Sequence, residues 1–260
     1  MFDLIVTKAS LRLTVGMLEI KNLVFTYPSL KQKRDPLFNG FDLTLPSQKI
    51  IGVIGQNGSG KTTLLHLCAN LLSPAQGTIF LDGSSCHKKQ ISYLFQNDRE
   101  SLLPWLCLSD NITFDQLIKR VPQKERANLA KALCEQSGIK LELNRFPYEL
   151  SGGQQQMVSI LRGFAGRPDL FILDEPFSSL DTLTRQNMLR AFKYIWRQQR
   201  PTCLFVSHDI DELFLVAHHI VVLGDSPTRV VKRFDVEQKP NLQQIQKNEV
   251  INLLTSSPNL

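Results

Sequence analysis

Apolar runs and helical patterns alternate along most of the chain, and their order predicts the fold. Residues 50–54 form a continuous apolar run of strand length. A glycine-rich turn follows, and then a helical pattern over 61–71. Residues 78–81 and 91–95 read as further strands. From 109 to 137 the apolar positions recur at helical spacing, with Gly138 placed to end the helix. Another helix follows Ser151. Then come a strand at 170–173, a helix at 181–198, a strand at 202–206 and a short helix at 211–217. Residues 220–223 and 229–234 are late strands. Leu242, Ile245, Ile251 and Leu254 mark one more amphipathic helix in the tail, 237–260. This alternation predicts an α/β fold with a mainly parallel sheet. A helical insert, about 97–165, separates two strand-rich parts. Met17 opens the strand-like MLEIKNLVFTYP. Residues 1–16 stand apart as an extension, for which the sequence leaves three readings open: disorder, an added edge strand, or a misassigned start.

Composition narrows the class. With 260 residues, 42% hydrophobic, the chain suits one globular domain with a sizeable core. It has no apolar run of membrane-spanning length, and its first residues lack the pattern of a signal peptide. Cys68, Cys86, Cys107, Cys134 and Cys203 show no metal spacing, so they read as reduced cytosolic thiols. The net charge of +6 is mild. Arg190, Lys193, Arg197 and Arg200 lie opposite Leu189, Phe192 and Trp196 in a helical pattern, which reads as a solvated face rather than a nucleic-acid patch.

Two stretches carry phosphate chemistry. Residues 55–62, GQNGSGKT, match G-x-x-x-x-G-K-[ST] between a predicted strand and a predicted helix. Glycines let the backbone curl so that several N–H groups face a phosphate, and the helix start adds positive potential. Lys61 would reach the β- and γ-phosphates, and the Thr62 hydroxyl would bind Mg²⁺. Residues 170–176, LFILDEP, place two carboxylates at the end of an apolar strand. Asp174 there suits Mg²⁺, and Glu175 suits orienting or deprotonating a water. Gln96 and His208 also follow strands, where open α/β sheets bind ligands. A third stretch, LSGGQ at 150–154, resembles a phosphate site but has no lysine.

Taken together, these residues resemble the ATP-binding cassette (ABC) transporter ATPases over nearly all of 17–236. The resemblance implies a P-loop NTPase core with an N-terminal antiparallel β part and a helical subdomain. It makes Gly55, Asn57, Gly58, Ser59, Gly60, Lys61, Thr62 and Thr63 nucleotide ligands, and Thr62, Gln96 and Asp174 Mg²⁺ ligands. Glu175, Gln96 and His208 become catalytic. Tyr27 matches the aromatic that stacks on adenine, and residues 178–181 match the D-loop with Asp181. In that family two cassettes pair head to tail around two ATP molecules. Ser151, Gly152, Gly153 and Gln154 would then complete a partner's site, which explains the missing lysine. One such stretch per chain implies a homodimer, or pairing with a second cassette chain.

Residues 95–105, FQNDRESLLPW, look like the F-Q…L-L-P-W segment of the nitrate/sulfonate/taurine importer ATPases. The resemblance implies a separate transmembrane permease, with Leu102–Leu106 as a docking surface. The alternative for Trp105 is the core of the helical insert. It also implies a periplasmic or extracellular solute-binding protein acting indirectly, no nucleic acid, and a peripheral place on the cytoplasmic face of the cell membrane. Two departures stand out: Ser226-Pro227-Thr228 where those relatives have Arg-Pro-Gly, and Gln155 and Met157 where basic residues are usual. The competing readings are a non-transport ABC ATPase acting on nucleic acid or ribosomes, and an ATP-dependent clamp. Long coiled-coil insertions or two cassettes per chain would favour the first; an intact Glu175 and His208 argue against the second.

Overall fold

The computed structural model describes residues 16–28, 35–96, 101–224, 227–237 and 239–255. Of the expected extension, only Gly16 falls within them; its carbonyl accepts from the Ser47 N–H at 2.8 Å.

Strands β1 (Met17–Phe25), β2 (Phe38–Pro46), β4 (Gln76–Leu81) and β5 (Ser84–Ser85) form an antiparallel sheet in the order β2-β1-β4-β5. A six-stranded sheet holds β3 (Ile50–Gly55), β6 (Ile91–Leu94), β7 (Leu170–Asp174), β8 (Thr202–Val206), β9 (His219–Leu223) and β10 (Val230–Asp235). Its order is β10-β9-β3-β8-β7-β6, parallel except where β10 runs back along β9.

The apolar runs of β3, β7 and β8 are continuous because both faces of this sheet are covered. Ile51 and Val53 of β3, with Ile172 and Leu204, face a core shared with the antiparallel sheet and helix α1 (Lys61–Cys68). Ile50 and Ile54, with Phe171 and Phe205, face a second core. That core is filled by α5 (Gly152–Ala165), α6 (Thr182–Gln199) and α7 (Ile210–Val216).

Three sequence expectations change. The helix expected over 61–71 ends at Cys68, because Asn70 turns left-handed (φ 59°) and the Leu71 N–H reaches back to the His66 carbonyl. The long helix expected over 109–137 is three: α2 (Leu108–Ile112), α3 (Phe114–Ile118) and α4 (Gln123–Ser137). It breaks where Thr113 leaves helical geometry, and again where left-handed Arg120 precedes Pro122. Arg126 of α4 ties back to Asp110 of α2, so the pieces still pack as one unit. Strand β2 adds an element that the apolar pattern does not signal, since FNGFDLTLP carries a glycine and an aspartate inside it. Gly138 does end α4, at φ 69°.

The tail helix is α8 (Pro240–Thr255). It packs on α7: Lys247 pairs with Asp211 at 2.6 Å, and Gln243 Nε2 donates to the Phe214 carbonyl at 3.2 Å. At its last turn the Leu254 carbonyl accepts from Gln56 Nε2 at 2.7 Å, across 198 residues of chain.

Candidate functional site at the strand ends

The strand order brings the C-terminal ends of β3, β8, β7 and β6 to one edge of the sheet. There they present Gly55, Ser207-His208, Asp174-Glu175 and Gln96. This is where open α/β sheets hold ligands.

The turn from β3 to α1 is a curled loop. Gly58 and Gly60 sit at φ 86° and 84°, and a Cβ at Gly60 would lie 2.7 Å from Thr228 Oγ1. Lys61 Nζ donates to the Gly55 and Gln56 carbonyls at 2.8 and 2.9 Å, so its charge rests inside the loop's own mouth. Burial lowers this ammonium's pKa, and Glu175 and Asp174 oppose that. Asn57 and Thr62 are exposed. The Thr228 hydroxyl donates to the Ser59 carbonyl at 3.1 Å, so the residue that departs from the family pattern braces the loop. The Tyr27 hydroxyl lies 2.9 Å from Thr63 Oγ1. Its ring stands edge-on to Phe25 and is 40% exposed, free to take a flat partner beside α1.

Asp174 closes β7 and is buried. Burial raises its carboxyl above the usual range, while hydrogen bonds from Thr62 and Tyr93 and the charge of His66 oppose this. Glu175 then turns left-handed (φ 49°), its N–H donating to the Val206 carbonyl at 3.0 Å. A non-glycine residue held there costs about 1 kcal/mol. The turn aims its side chain between two of the predicted site residues. Gln96 Nε2 donates to Glu175 Oε2 at 3.0 Å, and His208 Nδ1 lies 2.7 Å from Oε1. A cavity of about 630 Å³ opens here, walled also by Gln244, Lys247 and Ile251 of α8.

The residues fit a nucleotide with Mg²⁺. The Ser59 hydroxyl is buried beneath the loop without a hydrogen-bond partner. Thr62 and Asp174 offer hard oxygens side by side. Among the described residues no group of three or more His, Cys, Asp or Glu could hold a metal alone. A cation here would therefore draw further oxygens from phosphates and water.

The stretch at 150–154 is built differently. Ser151 caps α5: its Oγ accepts from the Gln154 N–H at 3.3 Å, and its own N–H donates to Gln154 Oε1 at 3.1 Å. Gln154 is thus occupied with the cap. Gly153 lies where α5 meets α6; a Cβ there would come within 2.9 Å of Thr184 Cγ2. The two departures in this helix find their reasons. Gln155 Nε2 donates to the Pro147 and Leu150 carbonyls at 2.9 and 3.3 Å, fastening the turn before the cap, and Met157 is core. Asp181 caps α6 by accepting from the Thr184 N–H at 3.0 Å.

Trp105 is 70% exposed, which removes it from the core, while Leu102 is buried. The five cysteines are free, and burial raises the thiols of Cys86 and Cys134 to about 11. Lys193 leaves the solvated stripe: its Nζ donates to the Leu215 carbonyl at 2.7 Å, at the end of α7. No described helix is long and apolar enough to cross a membrane.

Sequence reasoning missed Tyr93, His66, Gln56 and Arg185. Tyr93 and His66 flank Asp174 only because β6 lies beside β7 and α1 covers it, and strand order has no local signal. Gln56 is a variable position of the phosphate loop whose partner lies in α8. Arg185 follows Asp181 by four residues, one helical turn, which is the one clue the sequence offers.

Comparison with known proteins agrees with this geometry. Residues 38–178 match the ABC transporter family model. The chain is 34% identical to the taurine import ATP-binding protein TauB of Escherichia coli, over 84% of this chain and 83% of that one. It is 32% identical to the bicarbonate transport ATP-binding protein CmpC of Synechococcus elongatus, over 90% of this chain but 37% of that longer protein. Its fold is shared with the ATP-binding cassette MJ0796, solved as a dimer bound to ADP and Pi: TM-score 0.71, 23% identity, covering 85% of this chain and 100% of that one. The chain therefore belongs to the ABC transporter family, as one of its ATP-binding subunits.

Proposed function

We propose that this chain is the ATP-hydrolysing subunit of an importer, working at the cytoplasmic face of the membrane and driving a small solute through a separate permease. The observation that carries the reading is the Glu175 carboxylate, held at both oxygens by Gln96 and His208 one residue beyond Asp174. A clamp that only bound nucleotide would have no use for a carboxylate fixed there.

The site divides its work among these residues. The loop N–H groups from Gly55 to Thr63 receive the phosphates, and Lys61 exchanges its two carbonyls for phosphate oxygens. Tyr27 offers its ring to the adenine. Thr62, Asp174 and Gln96 would hold Mg²⁺, which when bound offsets phosphate charge. Glu175 accepts the proton of the attacking water after one oxygen releases Gln96 or His208. His208 donates toward the γ-phosphate. Ser151, Gly152 and Gly153 of a second copy close the site from the other side, with the cap to Gln154 holding Ser151 in place. ATP binding closes the pair and hydrolysis reopens it, so the permease alternates between two states.

The importer branch rests on the FQ…LLPW segment and on relatives named for taurine and bicarbonate transport. Exposed Trp105 is offered to the permease as an anchor, and a solute-binding protein acts only through that permease. The test is affinity purification of the tagged chain from detergent-solubilised native membranes. A multi-span membrane protein in stoichiometric amount is expected. Ribosomal or DNA-repair proteins without one would overturn the importer reading. Transport unchanged by Trp105→Ala in the reconstituted complex would remove the docking role.

A further inference from the structure

Arg185, one turn into α6, touches two separate loops of the site. Its Nη2 donates to the Leu180 carbonyl at 2.7 Å, next to Asp181. Its Nη1 donates to Asp209 Oδ2 at 3.0 Å, next to His208. Its Nε lies 3.3 Å from Glu212 Oε1, out of line for a hydrogen bond but close enough for charge attraction. Glu212 is buried, and its other oxygen accepts from the Ser207 hydroxyl at 2.7 Å. Ser207 Oγ in turn accepts from the Asp209 N–H at 3.0 Å. His208 is therefore fixed from both neighbours, through groups that all lead to one guanidinium. From His208 the chain of contacts continues to Glu175 and Gln96.

None of these links touches the phosphate loop. Arg185 joins the turn that carries Asp181, exposed on the surface, to the turn that carries His208, beside the reacting carboxylate. A guanidinium spans such a gap because its donors diverge in a fixed plane; an ammonium has no such fork. We propose that Arg185 is a positioning residue that holds these two turns as one body and so sets His208 against Glu175. This rests on the ATPase reading above, and it adds a residue outside the phosphate loop that sets the group beside the water-activating carboxylate.

The test compares wild type with Arg185→Ala, Arg185→Lys and the pair Arg185→Ala/Glu212→Gln, which removes the buried carboxylate along with its partner. Melting curves and binding of a fluorescent ATP analogue with Mg²⁺ come first. The double variant is expected to fold and to bind nucleotide within about twofold of wild type, since the phosphate loop is untouched. Its kcat is expected to fall on the order of 10²-fold, as for misplacement of a reacting group by about 1 Å. Arg185→Lys should not restore kcat, whereas added guanidinium ion should restore part of it in Arg185→Ala. A folded double variant with kcat within threefold of wild type, or one whose loss lies in nucleotide affinity alone, overturns the proposal. Absence of turnover in wild type would instead sink the ATPase reading itself.

Discussion

At the start of α1 the chain half-buries a cation; at the start of α5 it buries a glycine. Around Lys61 several polar groups are already engaged. The ammonium is bonded to two carbonyls, Thr63 to Tyr27, and Asp174 sits against Thr62 and Tyr93. Carboxylates stand within reach, and the loop is braced from Thr228. Around Ser151 there is no titratable side chain in the stretch 150–154, only a capped helix start and a glycine pressed against α6. Both are glycine-rich helix starts, suited to anions. One contains all the chemistry of a site, the other only a shape. The difference is what two halves of a composite site require, if each site is made from two chains.

The largest effects should fall on the first region. Lys61→Ala or Glu175→Gln is expected to lower ATP turnover by roughly 10³-fold or more. Glu175→Gln should still bind ATP and Mg²⁺ and elute as a dimer in size-exclusion chromatography. A strictly monomeric variant at saturating ATP would break the comparison at its root.

Mixing sharpens it. Lys61→Ala and Ser151→Arg should each be inactive alone. Combined one to one they should regain roughly a quarter of the wild-type rate, since half the pairs are mixed and each mixed pair has one intact site. No recovery on mixing would mean that Ser151 serves its own chain.

The pH dependence should separate the two regions next. Burial raises the Asp174 carboxyl, so as pH falls it takes up a proton before an ordinary carboxylate does, and would lose the hold on a cation proposed for it. The acid limb of kcat/KM should therefore begin above the usual carboxylate range. Ser151→Ala should lower the rate without moving that limb; a displaced limb would tie the signature turn to the titrating groups. The smallest effects are on stability. Gly153→Ala should cost about 1–3 kcal/mol by crowding Thr184, and Ser151→Ala about 1 kcal/mol through the lost cap, both read from denaturant unfolding.

Local chemistry was legible in the sequence, and distance was not. The loop after β3, the Asp174-Glu175 pair and the cap at Ser151 all announce themselves within eight residues. Gln96 and His208 could be singled out as polar groups at strand ends. Their convergence on the two oxygens of one carboxylate depends on β6, β7 and β8 being neighbours, which no short stretch encodes. The same holds for Tyr93 on Asp174 and for Gln56 on Leu254. Helix ends failed where a single residue decided them: Asn70, Thr113 and Arg120 each leave helical geometry inside a pattern whose apolar spacing continues. Trp105 shows a different limit, because an apolar cluster looks alike whether it faces inward or outward.

Strand β3 has a history in the making of the chain. Its two neighbours in the sheet, β8 and β9, follow it about 150 residues later. At a ribosome adding about 5–20 residues per second, both edges of β3 stay open for roughly 8–30 s. Meanwhile the antiparallel sheet can close, since β1, β2 and β4 all lie within the first 81 residues. The strand that presents the phosphate loop is thus made well before either of its sheet neighbours and is among the last to be paired. Nucleotide binding belongs to the completed chain, and an unfinished one has two unpaired strand edges to keep from other chains.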